Sequence, residues 1–337
     1  MKLLLNTSSL YFNRMSGIGW YTYNLAHNLI KEEHINPTFF YGNKSSRDLF
    51  LQKGFLNLKL NTFVRDFFPF SYYVKRKYSQ HYFKDIIKKN SFDLYHEPNF
   101  LAFDSEVNTV ITIHDLSWFH HPEVHPTRRV KFFNSCIEKI ARSDARIIVD
   151  STFTKEDLHK SLNIPKSNID VVYLGVEKSF APRGETRDQF LLKRYRLKYK
   201  KFILLVGTLE PRKNFITALR AYTILPKKIR KQYPLVFVGG DGWLNDEFEK
   251  ISSSLISKGE VRMLGYLSSD DLKAIISASK IFIFPSLYEG FGLPVLEAMA
   301  SGSPVISSNS TCLPEITGNA ALLNEPLDEI GFMKSIY

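Results

Sequence analysis

Cysteine is scarce in this chain of 337 residues: only Cys136 and Cys312 occur, far apart and without the spacing of metal ligands. This usage argues against a disulfide scaffold or a zinc site and fits a reducing cytosol. No apolar run approaches the roughly 18 residues of a membrane-spanning helix. The N-terminus leads directly into a strand pattern instead of the apolar stretch of a secretory signal. We therefore expect a cytoplasmic protein.

Charge is unevenly distributed, with 45 Lys and Arg against 34 Asp and Glu and a net charge of +11. Residues 53–89 contain nine Lys or Arg against two Asp, and nine aromatic residues lie between Phe63 and Phe83. Basic residues mixed with aromatic ones suit an anionic membrane surface or a nucleic acid. A solvated helix pair whose aromatic residues belong to the core explains the pattern equally well.

Apolar, β-branched segments separated by helical patterns predict buried parallel strands throughout the chain. Six lie in each half, which predicts an α/β protein with two Rossmann-like, doubly wound parallel sheets. The polar stretch 177–201 marks the boundary between an N-terminal domain of residues 1–180 and a C-terminal domain of residues 181–337. Ligands in such folds bind beyond the carboxyl ends of the strands. The predicted strands are 2–6, 37–41, 94–96, 110–114, 146–149, 171–174, 202–206, 235–238, 261–264, 281–284, 304–307 and 320–323.

The most informative segment is IFIFPSLYEGFGLPVLEAMASGSP at 281–304. A strand is followed by a turn with Gly290 and Gly292, and a helix is predicted to open with Pro294. Free backbone N–H groups at a helix N-terminus favour an anion, and glycines let it approach closely, so we expect a phosphate site here. Glu289 would repel that phosphate unless it accepts hydrogen bonds from hydroxyl groups, such as those of a sugar.

A second segment, VGTLEPRKN at 206–214, also follows a predicted strand. Arg212 and Lys213 are predicted at the start of the next helix, where the helix dipole disfavours cations. An anion bound between them explains this arrangement. Two exposed surface charges are the structural alternative.

Two weaker signals lie in the first half. SGIG at 16–19 follows the first strand and precedes a helix, so its glycines could bring backbone N–H groups to a phosphate, although a plain turn is an equal alternative. His114 and Asp115 fall at the carboxyl end of a strand, where a histidine can donate to a sugar hydroxyl or move a proton; the alternative is a structural histidine. The acidic pair at 270–271 is predicted to cap a helix and not to bind a metal.

These motifs together resemble the retaining GT-B glycosyltransferases of family 4: EGFGLPVLE with two glutamates eight residues apart, EPRKN, HDL after a first-half strand, and SGIG. The resemblance covers nearly the whole chain. It implies two Rossmann-like domains facing a cleft and a nucleotide-sugar donor held by the C-terminal domain. It also implies transfer with neither a cofactor nor a metal ion, and retention of configuration by front-face attack without an assigned protein nucleophile.

The resemblance also implies roles for individual residues. Arg212 and Lys213 would hold the diphosphate of the donor and stabilise the charge of the leaving group. Glu289 would bind hydroxyl groups of the donor sugar, Glu297 the ribose of the nucleotide. His114 would contact the sugar near its reacting carbon, which completes the catalytic set. Backbone groups would meet the phosphates, sugar and base at the remaining positions, which are Gly17, Gly19, Gly207, Leu264, Tyr266, Gly290, Phe291, Gly292 and Leu293.

The segments HDLSWFHHPE and DSTFTKEDL are most similar to bacterial mannosyltransferases that build O-antigen and other surface polysaccharides. GDP-mannose is therefore the expected donor and a lipid-linked oligosaccharide the expected acceptor, with no nucleic-acid partner. Residues 53–89 would rest on the anionic cytoplasmic face of the inner membrane. Family members usually continue to a helix that crosses back onto the first domain, whereas this sequence ends at Tyr337, within the next predicted helix.

Three alternatives remain at this point. A sugar-nucleotide 2-epimerase or a glycogen-phosphorylase-like enzyme would keep the fold and change the chemistry, although the pairing of EPRKN with EGFGLPVLE favours transfer. A protein that binds nucleic acid or anionic membranes would use the basic segment, but it would leave the clustered glutamates, glycines and cations unexplained. The third alternative is a catalytically silent remnant.

Overall fold

A computed structural model describes residues 1–10, 15, 17–51, 71–125, 127–141, 143–240, 242 and 246–337, and of residues 71–75, 128 and 129 it describes the backbone only. The chain forms two compact units. Unit 1 consists of Met1–His114, Lys131–Val149 and Leu158–Val171, and unit 2 consists of Asp115–Val130, Asp150–Asp157 and Val172–Tyr337. Two short first-half segments therefore belong to unit 2, and the boundary at 180–181 stays a prediction.

Unit 1 is built on one sheet flanked by helices. Its strands are β1 (Lys2–Asn6), β2 (Asn36–Phe40), β3 (Ser45–Ser46), β4 (Leu94–Glu97), β5 (Thr109–Ile113), β6 (Arg146–Val149) and β7 (Ile169–Val171). They lie in the order β3-β2-β1-β4-β5-β6-β7, and β3 pairs antiparallel with β2 while the other pairs are parallel. The helices described in this half are α1 (Gly17–Leu29), α2 (Ser71–Lys89), α3 (Ser117–His120), α4 (Thr127–Ala141) and α5 (Thr152–Leu162).

Strand β1 shows that this sheet is buried on both faces. Its residues Leu3, Leu4 and Leu5 are at most 2% exposed. Because successive side chains of a strand point to opposite faces, Leu4 packs with Phe40 on one side and Leu5 packs with Ala26 of α1 on the other. Apolar residues without alternation are typical of a sheet with helices on both faces.

Unit 2 repeats this design with an all-parallel sheet. Its strands are β8 (Ile203–Val206), β9 (Leu235–Val238), β10 (Val261–Met263), β11 (Ile281–Phe284), β12 (Val305–Ser308) and β13 (Ala321–Asn324), in the order β10-β9-β8-β11-β12-β13. Leu204 belongs to the core on one face and Leu205 to the core on the other. The helices are α6 (Glu185–Arg194), α7 (Phe215–Ile224), α8 (Lys227–Gln232), α9 (Asp246–Ser257), α10 (Ser269–Ala278), α11 (Leu293–Ala300), α12 (Leu313–Thr317) and α13 (Glu329–Ile336).

Each sheet has one point at which the strand order reverses direction. In unit 1 this point lies between β1 and β4, and in unit 2 it lies between β8 and β11. The loops that leave two such neighbouring strands diverge, which opens a crevice at the carboxyl edge of the sheet where ligands bind in open α/β folds.

The two parallel sheets confirm the predicted α/β class, and each of the 12 predicted segments overlaps a strand. Two details were wrong. The strand predicted at 171–174 lies at Ile169–Val171, because the pairing with β6 ends at Val149 and Val171, and Val172 and Tyr173 beyond it are exposed. The helix predicted to be capped by the acidic pair at 270–271 is capped by Ser268, whose hydroxyl accepts from the backbone N–H of Asp271.

Candidate functional site

The loop that follows β8 carries the predicted cations. Pro211–Lys213 form a 3-10 turn that ends at Asn214, whose backbone is left-handed with φ 53°. Helix α7 begins only after this turn, so Arg212 and Lys213 precede the helix. The amide of Asn214 donates to the backbone oxygen of Pro285 at 2.9 Å. This bond ties the loop after β8 to the loop after β11.

Glu289, in the loop after β11, is the centre of a buried charged cluster. Its Oε2 accepts from Arg212 Nη1 at 2.9 Å, and its Oε1 accepts from Lys213 Nζ at 2.6 Å. Arg212 also donates to the backbone oxygen of Tyr288 and to Glu210, both at 2.8 Å. The four charged side chains are at most 14% exposed. The EPRKN and EGFGLPVLE motifs therefore meet at the reversal point of the sheet.

Opposing effects set the pKa of Glu289. Burial would raise it, but the charges of Arg212 and Lys213 and the hydrogen bond from Lys213 outweigh burial and lower the pKa to about 2. Burial of Arg212 would lower its pKa in turn, but the carboxylates around it, Glu289 foremost, raise that pKa above its usual value. Glu289 is therefore ionised at neutral pH and acts purely as a hydrogen-bond acceptor.

The cluster has hydrogen-bond donors to spare. Within the described residues, Nε of Arg212 is buried without a partner, and the backbone N–H groups of Phe291 and Gly292 have no acceptor. The ammonium of Lys213 carries three hydrogens, of which Glu289 takes one. Buried hydrogen-bond donors with unused capacity favour the binding of an anionic ligand.

Gly292 allows the sharp entry into α11. Its φ is 89°, and a Cβ at this position would lie 2.7 Å from Cδ2 of Leu313. A side chain would therefore be strained by both the backbone conformation and the contact. The helix begins at Leu293, so Pro294 is its second residue. The first N–H groups of α11 lie at the carboxyl edge of the sheet, as an anion site requires.

Glu297 lies one turn further along α11 in a different environment. Burial raises its pKa to about 7, with a smaller lowering by Lys273 and a raising contribution from Glu177. Lys273 pairs with Glu177 at 3.0 Å. In the described part of the chain no hydrogen bond joins Glu297 to Glu289, so the two carboxylates belong to separate clusters. The contact of Glu297 with a ribose stays a prediction.

Gly207 and the positions predicted to meet the base, Leu264 and Tyr266, lie at the same edge of unit 2. Gly207 donates through its backbone N–H to the strand residue Val238 at 2.9 Å, and Gly239 donates to Gly265 at 2.9 Å. A Cβ on Gly239 would lie 1.8 Å from the backbone oxygen of Gly207, so only glycine permits this approach. The loops after β8, β9 and β10 are thereby stacked side by side. The flanking Leu264 and Tyr266 lie in the last of them, with Tyr266 exposed.

A short segment from the first half of the chain holds the loop after β11, a role that the sequence did not predict. The hydroxyls of Ser151 and Thr154 donate to the backbone oxygen of Gly290 at 2.6 and 3.2 Å. The hydroxyl of Tyr288 donates to Asp157, and burial, followed by the charge of Asp157 and this bond, raises the pKa of Tyr288. All of these residues belong to unit 2. The segment DSTFTKEDL contains Ser151, Thr154 and Asp157, but its sequence does not show which groups their side chains will bond.

His114 follows β5 in unit 1 and is held by its neighbours. Its Nε2 lies 3.0 Å from the backbone oxygen of Pro98; a carbonyl can only accept, so Nε2 carries the proton. The ring of Tyr21 meets that of His114 edge-on, with centroids 4.8 Å apart, and the Tyr21 hydroxyl lies 3.1 Å from that of Thr112. His96 Nε2 lies 2.9 Å from the hydroxyl of Thr112. The histidine thus has a fixed orientation.

A second buried carboxylate, which the sequence did not point out, lies at the reversal point of unit 1. Glu97 ends β4, and its Oε2 accepts from the side chains of Asn6 and Tyr95, both at 2.6 Å. Its Oε1 accepts from the backbone N–H of Asn99 at 3.2 Å. Burial raises the pKa of Glu97 to about 7, although these hydrogen bonds lower it.

The predicted site residues thus fall into two groups. Arg212, Lys213 and Glu289 form one cluster in unit 2, with the loop residues 290–293 adjoining it. His114 lies in unit 1, as do Gly17 and Gly19 at the start of α1. Ser16 of the SGIG motif lies outside the described residues. That the two groups act on one substrate stays a prediction.

The basic segment 53–89 is described from residue 71 onward, and its earlier part lies outside the described residues. Within α2, Phe83 is a core residue, and Arg76 donates to the backbone oxygens of Leu101 and Ala102. Tyr78 is 63% exposed, and Lys84 is exposed as well. The core position of Phe83 agrees with the solvated-helix interpretation, and contact of the segment with a membrane or a nucleic acid stays a prediction. None of the helices in the described ranges has the length and apolar character needed to cross a membrane.

The chain matches known protein families and is similar to individual characterised proteins. Residues 15–180 match the family described as Glycosyltransferase Family 4, and residues 189–330 match Glycosyl transferases group 1. The chain is 37% identical over 235 residues to O-antigen chain mannosyltransferase B of Escherichia coli, covering 70% of this chain and 62% of that protein. It is 28% identical over 231 residues to O-antigen chain mannosyltransferase RfbU of Salmonella typhimurium, covering 68% and 60%. The chain spans less than two thirds of the length of these two relatives.

Solved structures share the fold at lower identity. WaaG, a glycosyltransferase involved in lipopolysaccharide biosynthesis, matches with a TM-score of 0.73 at 14% identity, over 100% of this chain and 89% of that chain. HepE of Anabaena, in complex with UDP and glucose, matches with a TM-score of 0.70 at 15% identity, over 100% and 89%. These likenesses confirm the predicted fold class.

Proposed function

The chain belongs to the family 4 glycosyltransferases with the GT-B fold, and from this premise we propose that it is a retaining mannosyltransferase that uses GDP-mannose. The proposed acceptor is a lipid-linked oligosaccharide in the synthesis of O-antigen or another surface polysaccharide. Mannose and O-antigen are supported by the names of two relatives. The guanine base and the retention of configuration rest on the sequence resemblance.

One observation carries the proposal: the spare donors around Glu289. As the bond between the sugar and the diphosphate breaks, negative charge grows on the leaving oxygen. Arg212 Nε, the ammonium of Lys213 and the N–H groups of the loop after β11 would stabilise that charge. A diphosphate that draws Lys213 away would free Oε1 of Glu289 to accept from a hydroxyl of the sugar. His114, Gly17 and Gly19 are proposed to complete this site, and transfer is proposed to proceed without a metal.

A thermal-shift titration with GDP, UDP, ADP and their common sugar conjugates tests the donor site. A ligand that binds only the folded chain raises its melting temperature. We expect the largest rise with GDP and GDP-mannose, undiminished by EDTA. Lys213→Ala should abolish the rise, whereas Lys201→Ala, at the amino end of β8, should keep it. No rise with any nucleotide, or an equal rise in Lys213→Ala, would contradict the proposed site.

Product analysis tests the reaction itself. Incubation with GDP-mannose and a lipid-linked oligosaccharide should extend the acceptor by mannose with the α configuration of the donor, as seen by NMR of the anomeric proton. A β-linked product would refute retention, and release of free epimerised sugar would favour the epimerase alternative.

Contact of residues 53–89 with an anionic membrane is a separate part of the proposal. The exposed lysines of α2 support it, and its decisive part lies outside the described residues. Flotation of the chain with liposomes should depend on anionic lipid and weaken at high salt. Equal flotation with neutral liposomes would refute this contact.

A further inference from the structure

Helix α1 exposes a face that carries no charge. No Asp, Glu, Lys or Arg occurs from Gly17 to Leu29, whereas the 19 residues of α2 include seven. Trp20, Tyr23, Asn24 and His27 are spaced three, four and seven residues apart and therefore share one side of the helix. Trp20 is 40% exposed, Asn24 and His27 are exposed, and Tyr23 is half-buried. These four residues are called the α1 face below.

The rings of the α1 face contact one another along two helical turns. Trp20 and Tyr23 meet edge-on with centroids 6.1 Å apart, and Tyr23 and His27 lie nearly parallel, also 6.1 Å apart. Rings that touch in this way lose little conformational freedom on binding, because each side chain has only two rotatable bonds. The exposed aromatic surface is therefore continuous and largely ordered before a ligand arrives.

The opposite side of α1 holds residues of the site in unit 1. Tyr21 packs against His114, and Thr22 is buried. The helix begins beyond the carboxyl end of β1, at the edge of the sheet where such folds bind ligands. Trp20, in the first turn, lies nearest that edge. The α1 face thus continues from the predicted site along the surface of unit 1.

We propose that the α1 face binds the neutral hexose chain of the acceptor, which deepens the proposed function and rests on it. Aromatic rings pack against the apolar C–H faces of pyranose rings, while the amide of Asn24 and the imidazole of His27 bond their hydroxyl groups. A face without formal charge suits a neutral glycan, because it has no Lys or Arg to neutralise the phosphates of a membrane or nucleic acid. The acceptor is therefore recognised by its sugar chain over a length of two helical turns.

Saturation-transfer NMR with mannotriose tests this surface without any donor. Trp20→Ala should weaken binding of mannotriose roughly fivefold to tenfold, as for other aromatic anchors, and Trp20→Phe should restore part of it. The control is Phe190→Ala, which removes an aromatic residue that is 86% exposed on α6 and should bind mannotriose as the parent chain does. Equal binding by the parent chain and Trp20→Ala would overturn the proposal, as would equal binding of a sialylated trisaccharide.

The titration with GDP separates failure of this proposal from failure of the proposed function. A GDP-induced rise in melting temperature that Trp20→Ala retains, together with weakened mannotriose binding, supports both. The same rise with unchanged mannotriose binding supports the donor site but contradicts glycan binding by the α1 face. Weakened mannotriose binding without any nucleotide effect supports the glycan-binding surface and contradicts the proposed donor site. In the first case the acceptor KM of Trp20→Ala should rise roughly tenfold while the donor KM stays constant.

Discussion

Each of the two sheets has a buried carboxylate at its reversal point, and the surroundings shift the pKa values of the two carboxylates in opposite directions. At the reversal point of unit 2, Glu289 is paired with Arg212 and Lys213, and its pKa falls to about 2. At the reversal point of unit 1, Glu97 accepts from neutral groups, among them Asn6, and burial raises its pKa to about 7. The strand orders match, so the difference comes from the side chains that the loops supply and not from the fold.

The partners indicate what each carboxylate can do. Cations beside a buried carboxylate can be shared with an incoming anion, so the cluster of Glu289 can exchange partners with a ligand. The donors around Glu97 are neutral and carry no positive charge that could attract a phosphate. One of them is the backbone N–H of Asn99, in the loop after β4. Glu97 therefore shapes a loop, whereas the partners of Glu289 suit the proposed donor site.

The same substitution at both carboxylates should give very different results, and this is the largest expected effect. Glu289→Gln leaves Arg212 and Lys213 buried with less compensation, which should cost about 3–5 kcal/mol of stability. Removal of the charge that orients both cations should also lower the transfer rate at least roughly a hundredfold. Thermal melting and the transfer assay measure the two effects.

Glu97→Gln is the matched control. The amide oxygen can still accept from Asn6 or Tyr95, and no charge needs to be buried, so the loss of stability should stay within about 1 kcal/mol. Equal losses in Glu97→Gln and Glu289→Gln would show that burial alone, and not the partner charges, distinguishes the two reversal points.

The pH dependence of stability should have opposite signs in the two units. The folded pKa of Glu97 lies above its ordinary value of 4.5, so its contribution is complete below pH 4.5 and is lost as the pH rises through about 7. The folded pKa of Glu289 lies below 4.5, so its contribution is present above pH 4.5 and is lost as the pH falls towards 2. For each carboxylate, the full change in the free energy of unfolding amounts to roughly 3 kcal/mol.

Hydrogen exchange at pH 5 and pH 8, corrected for the intrinsic rates, measures this difference by peptide. Between these values protection of the β4 peptide should decrease, and protection of the β11 peptide should stay constant. In Glu97→Gln the decrease at β4 should disappear. An unchanged pH response in that variant would attribute the effect to another group.

Sequence patterns predicted the parts of the molecule that depend on periodicity and on glycine. Buried strands have few ways to pack, so their order along the chain could be inferred, and EGFGLPVLE marked the loop in which Gly292 needs a left-handed backbone. The pairing of Glu97 with Asn6 was not predictable, because 91 residues separate the two and neither belongs to a motif. The link from Ser151 to Gly290 spans 139 residues and was missed although each residue lies in a motif, because a motif does not show which backbone oxygen a hydroxyl will bond.

A smaller effect is expected from Tyr95→Phe in unit 1. The hydroxyl of Tyr95 donates to Glu97 at 2.6 Å and accepts from the backbone N–H of Phe103 at 3.3 Å. Its removal should cost about 1–2 kcal/mol and raise the pKa of Glu97 further, because one bond to the carboxylate is lost. The decrease in protection of the β4 peptide should then continue to higher pH, because the folded pKa sets the upper limit of the pH range over which stability is lost. No shift of that upper limit would mean that the hydroxyl does not stabilise the ionised carboxylate.

The smallest effect is expected from Thr154→Val in unit 2, which removes a hydroxyl and keeps the shape of the side chain. Thr154 donates to the backbone oxygen of Gly290 at 3.2 Å, and Ser151 donates to the same oxygen at 2.6 Å, so one bond remains. We expect a loss below about 1 kcal/mol and a donor KM raised roughly twofold to threefold, because the loop beside Glu289 is held less firmly. Thr152→Val, whose hydroxyl lies beside that of the exposed Tyr173, should leave the donor KM unchanged. If both variants raise the donor KM equally, the effect belongs to helix α5 as a whole, and the hydroxyl of Thr154 has no part in positioning the donor loop.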